Sequence, residues 1–435
     1  MKKIIFILAV ISTVFTFTGC QKLNDFIDVN HPDKDNKADA NVALDWYRLQ
    51  LRFLLERNST LKVDFGYLGI GLYEAVRYET KNSVSFSTKL NQMPQMPGID
   101  SKSYDWVLSA NAAMASMLRL FNTGLTPANI ASIDSLENLY NQQSSTSIGS
   151  DKFNRSQAFG RSIATAMYNW SLTDNYNTTN AGYVYATGFG AWIPTPPAFL
   201  PGINPFLGTS RLDLAANATV VIPPPPYPYS ETVGSDFYKM VKNNYDVSLA
   251  LTTEQKNIAN FYIDQGNGLG YTPPGHDISA VTQILVAKKA GLALAAEVYA
   301  KAGIAERDAA ITVFGAKYKY NQMRPVSYIR KVIDTAWLPF IPTPPHPEYP
   351  AAHALVTGSD MAAVAKVLGD HVKFTDHSYD FRGWAPRSYT SIFGVGEEAG
   401  ISRLYGGIHY KESIDAGLYI AKQIGENIGG LKMTN

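Results

Sequence analysis

The chain of 435 residues has one cysteine, Cys20, and no surplus of either charge, with 38 Lys and Arg against 37 Asp and Glu and a formal net charge of +1. A single thiol excludes disulfides within the chain and argues against a thiol nucleophile. Balanced charge gives no electrostatic case for nucleic acid, whose binding surfaces need a basic field. Runs that alternate apolar and polar residues are few, which argues against sheets and sets the class as all-α. Internal repeats and coiled-coil heptads are lacking as well. Long apolar runs are confined to the N-terminus, MKKIIFILAVISTVFTFTGC.

That first stretch pairs two lysines with a short apolar segment and ends Thr18-Gly19-Cys20. It is too short for a spanning helix and reads as a lipoprotein export signal over residues 1–20, although Phe17 stands where leucine is usual. The expectation is a diacylglycerol anchor on Cys20 and a body outside the cytoplasm, periplasmic or at the cell surface. Residues 21–37 are polar and read as a tether. Residues 38–435 exceed one ordinary core, so a large domain of two packed helical halves is expected.

Helical periodicity follows the tether. Val42, Trp46, Leu49 and Phe53 form one stripe; Phe159, Ile163, Met167 and Trp170 a second; Ile284, Leu285, Leu292, Ala295 and Tyr299 a third. All three read as core. Further helices are expected near 104–121, 127–142, 235–249, 253–264, 303–320, 387–402 and 411–429. Residues 175–234 break the rhythm with ten of the 24 prolines. Such a loop either shields helices or, through Trp192, Phe199, Phe206, Tyr227 and Tyr229, walls a site.

Chemistry concentrates in the last third, over residues 303–430. Lys317 and Arg324 are seven residues apart, two turns along one helical face if the helix extends so far, with Arg324 held at a helix end by Pro325. Pro350 precedes a helix starting near Ala351, so His353 lies in a first turn, where unpaired N–H groups and the helix dipole favour an anion. Arg403 and His409 would point about 240° apart on an unbroken helix, and Gly406 and Gly407 are the residues that can turn the chain and bring them together. Each piece alone has a plain alternative: a solvated Lys/Arg pair, a capping histidine, a glycine turn. Together they offer three cations and two imidazoles for one tetrahedral oxyanion, one imidazole to transfer protons and one to bond the centre.

The three motifs, Lys317-x6-Arg324-Pro325, Pro350-Ala-Ala-His353 and Ser402-Arg403-x5-His409, resemble those of the vanadium-dependent haloperoxidases and of the acid phosphatases that share their site, the type 2 phosphatidic acid phosphatase superfamily. WIPTPP (192–197), YTPPGH (271–276), PPHPEYPAAH (344–353) and EEAGISRLYGGIHY (397–410) resemble the haloperoxidase-like branch, and the likeness spans most of residues 40–430. It implies a large helical bundle and a vanadate cofactor held by Lys317, Arg324, Arg403 and the Ala352 N–H and bonded to His409. It also implies hydrogen peroxide and halide as partners, with His353 as acid–base group and Lys317 polarising the peroxide. A phosphatase of the superfamily would need no cofactor: His409 would attack a phosphomonoester and His353 protonate the leaving alcohol. His346 stands where bromide- and iodide-oxidising members tend to carry histidine and chloride-oxidising ones phenylalanine, which leans toward bromide or iodide; it also reads as a surface-loop histidine. No catalytic role attaches to His276, and His31, His371 and His377 read as solvated.

Two departures matter. Ala351 and Ala352 replace the usual Ser and Gly, removing a hydroxyl donor to the oxyanion, at a cost of about 1.5–3 kcal/mol or roughly 10- to 100-fold in affinity. Ser413 replaces the aspartate of the phosphatase-type signature, and whether Asp415 orients His409 instead is open. Two other functions compete: a degenerate homologue that binds phosphate without turnover, and a SusD-type glycan-binding lipoprotein, which FIDVN (26–30) resembles.

Overall fold

The computed structural model describes residues 39–56, 64–122, 124–176, 179–264 and 270–435. The signal, Cys20, His31 and the tether therefore lie outside the described residues. Thirteen α-helices account for most of them, with one two-stranded ribbon. The first half is built by α1 (Asn41–Leu55), α2 (Phe65–Val76), α3 (Trp106–Phe121), α4 (Pro127–Ser145) and α5 (Ser150–Ser171). Two of the expected stripes face this core: Trp46 and Phe53 on α1, Ile163 and Met167 on α5 are all buried.

The second half holds α6 (Asp236–Leu249), α7 (Thr253–Phe261), α8 (Pro273–Ala287), α9 (Leu292–Tyr320), α10 (Pro325–Val332), α11 (Ala352–Leu368), α12 (Phe393–Tyr405) and α13 (Lys411–Gly429). Helix α9 is the spine: it packs on α2 in one half and on α11 in the other. The third stripe is not one helix, because α8 ends at Ala287 and Lys289 takes a positive φ of 49° before α9 begins. The helix expected over 387–402 is also revised. Residues Arg387–Tyr389 pair antiparallel with Phe374–Asp376 as β2 and β1, and the helix starts only at Phe393. Long-range pairing overrides local propensity there, since Arg387 also reaches Glu398 and Glu254.

Helices α11 and α13 lie close together. A Cβ on Gly417 would come within 2.9 Å of both the Ala351 carbonyl and the Ala354 side chain, so only glycine lets α13 press against the first turn of α11. The Ala351 N–H donates to Ser413 O at 3.1 Å across the same contact. Over residues 179–235 the proline-rich segment lies as a strap against the motif segments. Trp192 donates its N–H to Asn321 O, Met323 to Gly190 O, and Ile203 to Pro345 O. It thus fastens onto both sides of the motif segments. Trp192 is buried and Phe199 is exposed, so the aromatics split between core and surface.

Candidate oxyanion site

Lys317 lies in the last turn of α9, which ends when Asn321 turns left-handed at φ 47°. Arg324 is therefore not on the same helix; it is the N-cap residue of α10, with Pro325 at the first helical position. Lys317 and Arg324 are both fully buried. The Lys317 Nζ donates to Pro347 O (2.9 Å), Glu348 O (2.8 Å) and Pro350 O (2.6 Å). An ammonium has three N–H groups, and all three are spent holding the 347–350 segment. Burial first, then the nearby Arg324, drives the Lys317 pKa well below its ordinary value, against the pull of Glu348.

Arg324 is held as thoroughly. Its Nε donates to His346 O (2.9 Å) and Nη1 to Ile408 O (2.8 Å); Nη1 also lies 3.0 Å from His409 Nε2, and Nη2 3.0 Å from His346 Nδ1. A guanidinium only donates, so both of those imidazole nitrogens must be acceptors. His409 therefore carries its proton on Nδ1 and donates it to Glu348 Oε1 at 2.8 Å. The 3.2 Å approach of His346 Nδ1 to Pro347 O is then a contact without a proton. His346 is buried rather than on a surface loop, with its ring edge against Phe314.

Gly407, at φ 75°, turns the chain after α12 and sets His409 just before α13. The residue orienting His409 is Glu348, which also accepts from the Tyr410 N–H at 3.0 Å. Asp415 has no part in it, being paired with Lys411. Burial pushes the Glu348 pKa up to about 7, resisted by Lys317 and Arg324. Burial, then Arg324, pushes the His409 imidazole well below its usual range.

Arg403, also buried, donates Nε to Ser402 Oγ (2.9 Å) and Nη2 to the Tyr262 carbonyl, while Nη1 has no protein acceptor among the described residues. His353 sits in the first turn of α11 and meets Asp264 Oδ2 through Nε2 at 3.1 Å. Burial first, then Arg403, lowers His353 to about 4, against Asp264. No side chain caps α11, so the first-turn N–H groups of Ala352 and His353 stay open to an anion. Sequence reasoning missed Glu348 and Asp264. Glu348 was legible only as an acid embedded among the prolines of HPEYP.

The carboxylates near these cations are engaged with histidines: Glu348 with His409, Asp264 with His353 and His276. Among the described residues, Lys317, Arg324 and Arg403 form no ion pair. Three buried cations without an ion-pair partner are costly, and a guest oxyanion is the counter-charge such a set accommodates. The donor set thus fits vanadate or phosphate.

Residues 297–433 match the family model described as the VCPO second helical-bundle domain. The fold matches the crystal structure of a bacterial vanadium-dependent iodoperoxidase with a TM-score of 0.82 at 27% identity, covering 93% of this chain and 99% of that one. The last third of the chain thus matches a domain of the vanadium haloperoxidases, and the whole chain shares their fold. Holo- and apo-type structures of a bacterial vanadium-dependent chloroperoxidase share the fold of this chain at TM-scores of 0.64 and 0.61. Their identities are 14% and 15%; they cover 92% and 84% of this chain, and the chain covers 98% and 92% of theirs. No curated protein matches the sequence. The all-α haloperoxidase bundle gives the SusD-type alternative no support.

Proposed function

We propose that the protein is a vanadate-dependent haloperoxidase that oxidises iodide or bromide with hydrogen peroxide. The observation that carries the proposal is the contact of Arg324 Nη1 with His409 Nε2, in an imidazole whose other nitrogen Glu348 holds protonated. That arrangement turns one unprotonated ring nitrogen toward the buried cations. When bound, vanadate supplies a Lewis-acidic centre that activates peroxide toward halide. Bonding of His409 Nε2 to such a centre requires Arg324 Nη1 to give up that nitrogen and donate to an oxyanion oxygen instead. Arg403, through Nη1, and the open N–H groups of Ala352 and His353 add donors. His353 is neutral near pH 7 and exchanges protons at Nδ1, because Nε2–H is committed to Asp264. Support for iodide or bromide comes from His346 and from the likeness to the iodoperoxidase.

Two observations favour a second reading, an oxyanion-binding homologue without turnover. Lys317 spends every donor on backbone carbonyls, and Ala351 supplies no hydroxyl. Protein lacking residues 1–20 separates the readings when assayed with vanadate, peroxide and iodide or bromide, and separately with a chromogenic phosphomonoester. Halogenation suppressed by phosphate is the expected result. Phosphomonoester hydrolysis blocked by vanadate would instead make it a phosphatase, and tight phosphate binding with neither activity would leave a binding protein.

We also place the protein on a membrane through a lipid on Cys20, the reading that the export signal supports. Metabolic labelling with a radioactive fatty acid, lost in Cys20→Ala, tests it.

A further inference from the structure

Behind His353 lies a hydrogen-bonded chain that the proposed chemistry has not used. His276, in the first turn of α8, is buried between two carboxylates: Nδ1 lies 2.9 Å from Asp264 Oδ1 and Nε2 lies 3.0 Å from Asp376 Oδ2. Neither oxygen has a proton to give if ionised, so both ring nitrogens must donate and the ring is an imidazolium. The rings of Phe261, Tyr262 and Tyr379 enclose it, with centroids 5.2, 5.2 and 5.0 Å away. Asp376 is fixed in turn by Gln283 Nε2 (3.0 Å) and the Ser378 N–H (2.8 Å) on its other oxygen. Asp264 Oδ1 also accepts from Tyr379 OH at 2.6 Å.

Asp264 itself stands at a positive φ of 44°. A non-glycine residue in this region is held there by its surroundings, and such strain gathers at functional sites. Oδ1 carries two donors, which leaves Oδ2 as the oxygen that His353 Nε2 meets.

We propose that His276, clamped between Asp264 and Asp376, is a positioning residue that locks the Asp264 carboxylate so that Oδ2 serves His353 alone and Nδ1 of His353 faces the oxyanion. The inference rests on the proposed haloperoxidase site, but its geometry is independent of turnover. Electrostatics agree. Burial lowers the basicity of His276, yet Asp264 and then Asp376 outweigh it and hold the ring charged.

Long-range imidazole 1H–15N spectra of the full-length protein test this without any cofactor. His276 is expected to show protons on both nitrogens from roughly pH 5 to pH 9, and His353 to be the Nε2–H tautomer. In His276→Gln and in Asp376→Asn, His353 should become a mixture of tautomers. Phosphate affinity should stay within about 2-fold, while halogenation kcat falls roughly 10-fold or more with little change in KM. Asp376→Asn preserves shape while removing the charge and one accepting oxygen, so it decides the matter if His276→Gln does not fold. A neutral His276, or a His353 tautomer unmoved in the folded variants, overturns the inference. Absence of halogenation by wild-type protein would sink the haloperoxidase reading and leave the spectra to judge His276.

Discussion

Glu348 accepts the Nδ1–H of His409 at 2.8 Å, and this one hydrogen bond decides which nitrogen of His409 is offered to the pocket. The carboxylate also raises the basicity of Nε2, as outer-shell acids do for metal-bound histidines. Glu348→Gln should therefore weaken vanadate binding roughly 10- to 100-fold. Phosphate, which needs positive charge but no bond to His409, should bind as well or more tightly once a buried negative charge is gone. Titration calorimetry with the two anions separates these effects; equal losses for both would argue against a bonding role for His409.

Ala351 is the N-cap residue of α11 and brings no capping side chain. Ala351→Ser places a hydroxyl where it can accept from an N–H of the first turn or donate to an oxyanion. Capping alone should stabilise the protein by about 1 kcal/mol, read from urea unfolding without anion. Donation should tighten phosphate roughly 10-fold, measured separately. Gain in stability without gain in affinity would mean that the serine hydroxyl serves the helix only.

The parts visible in the sequence were those set by spacing along the chain. Lys317, Arg324, His353, Arg403 and His409 could be read because family spacing picks them out, and the apolar stripes of α1 and α5 because burial repeats every turn. Partners across the fold were not visible. Glu348 reaches His409 over 61 residues and Asp264 reaches His353 over 89, and neither acid lies in a helical pattern that marks it. Helical continuity also misled. The Lys317 to Arg324 interval suits one helix, but Asn321 accepts the left-handed turn that ends α9 and the pair sits on two helices. Glycine turns were easier, since Gly407 alone tolerates the positive φ that redirects the chain to His409.

Lys317 should matter more for folding than its place in the motif suggests. Removing its ammonium leaves the carbonyls of Pro347, Glu348 and Pro350 without that donor in a buried segment. Lys317→Met should cost about 3 kcal/mol or more, at roughly 1–3 kcal/mol for each stranded group less what the apolar replacement returns. Chemical denaturation checks it. A variant as stable as wild type but without halogenation would show instead that the lysine acts on the bound anion.

His346 gives a pH signature. Burial first, then Lys317 and Arg324, holds its imidazole well below the ordinary value, so the folded protein keeps it neutral while the unfolded chain protonates it near 6.5. As pH falls through 6.5 the unfolded state takes up a proton at this position, and stability is lost with a slope that approaches about 1.4 kcal/mol per pH unit until the folded pKa is reached. His346→Gln lacks that proton and keeps an amide that can accept from Arg324 Nη2, whose bond to Nδ1 is 3.0 Å. The stability difference, variant minus wild type, should therefore rise by about 1 kcal/mol between pH 6.5 and pH 5.5 and stay nearly flat from pH 7 to pH 8. Urea titrations at those four values measure it. A difference independent of pH would mean that His346 titrates alike in both states and that the cations around it do not press on it.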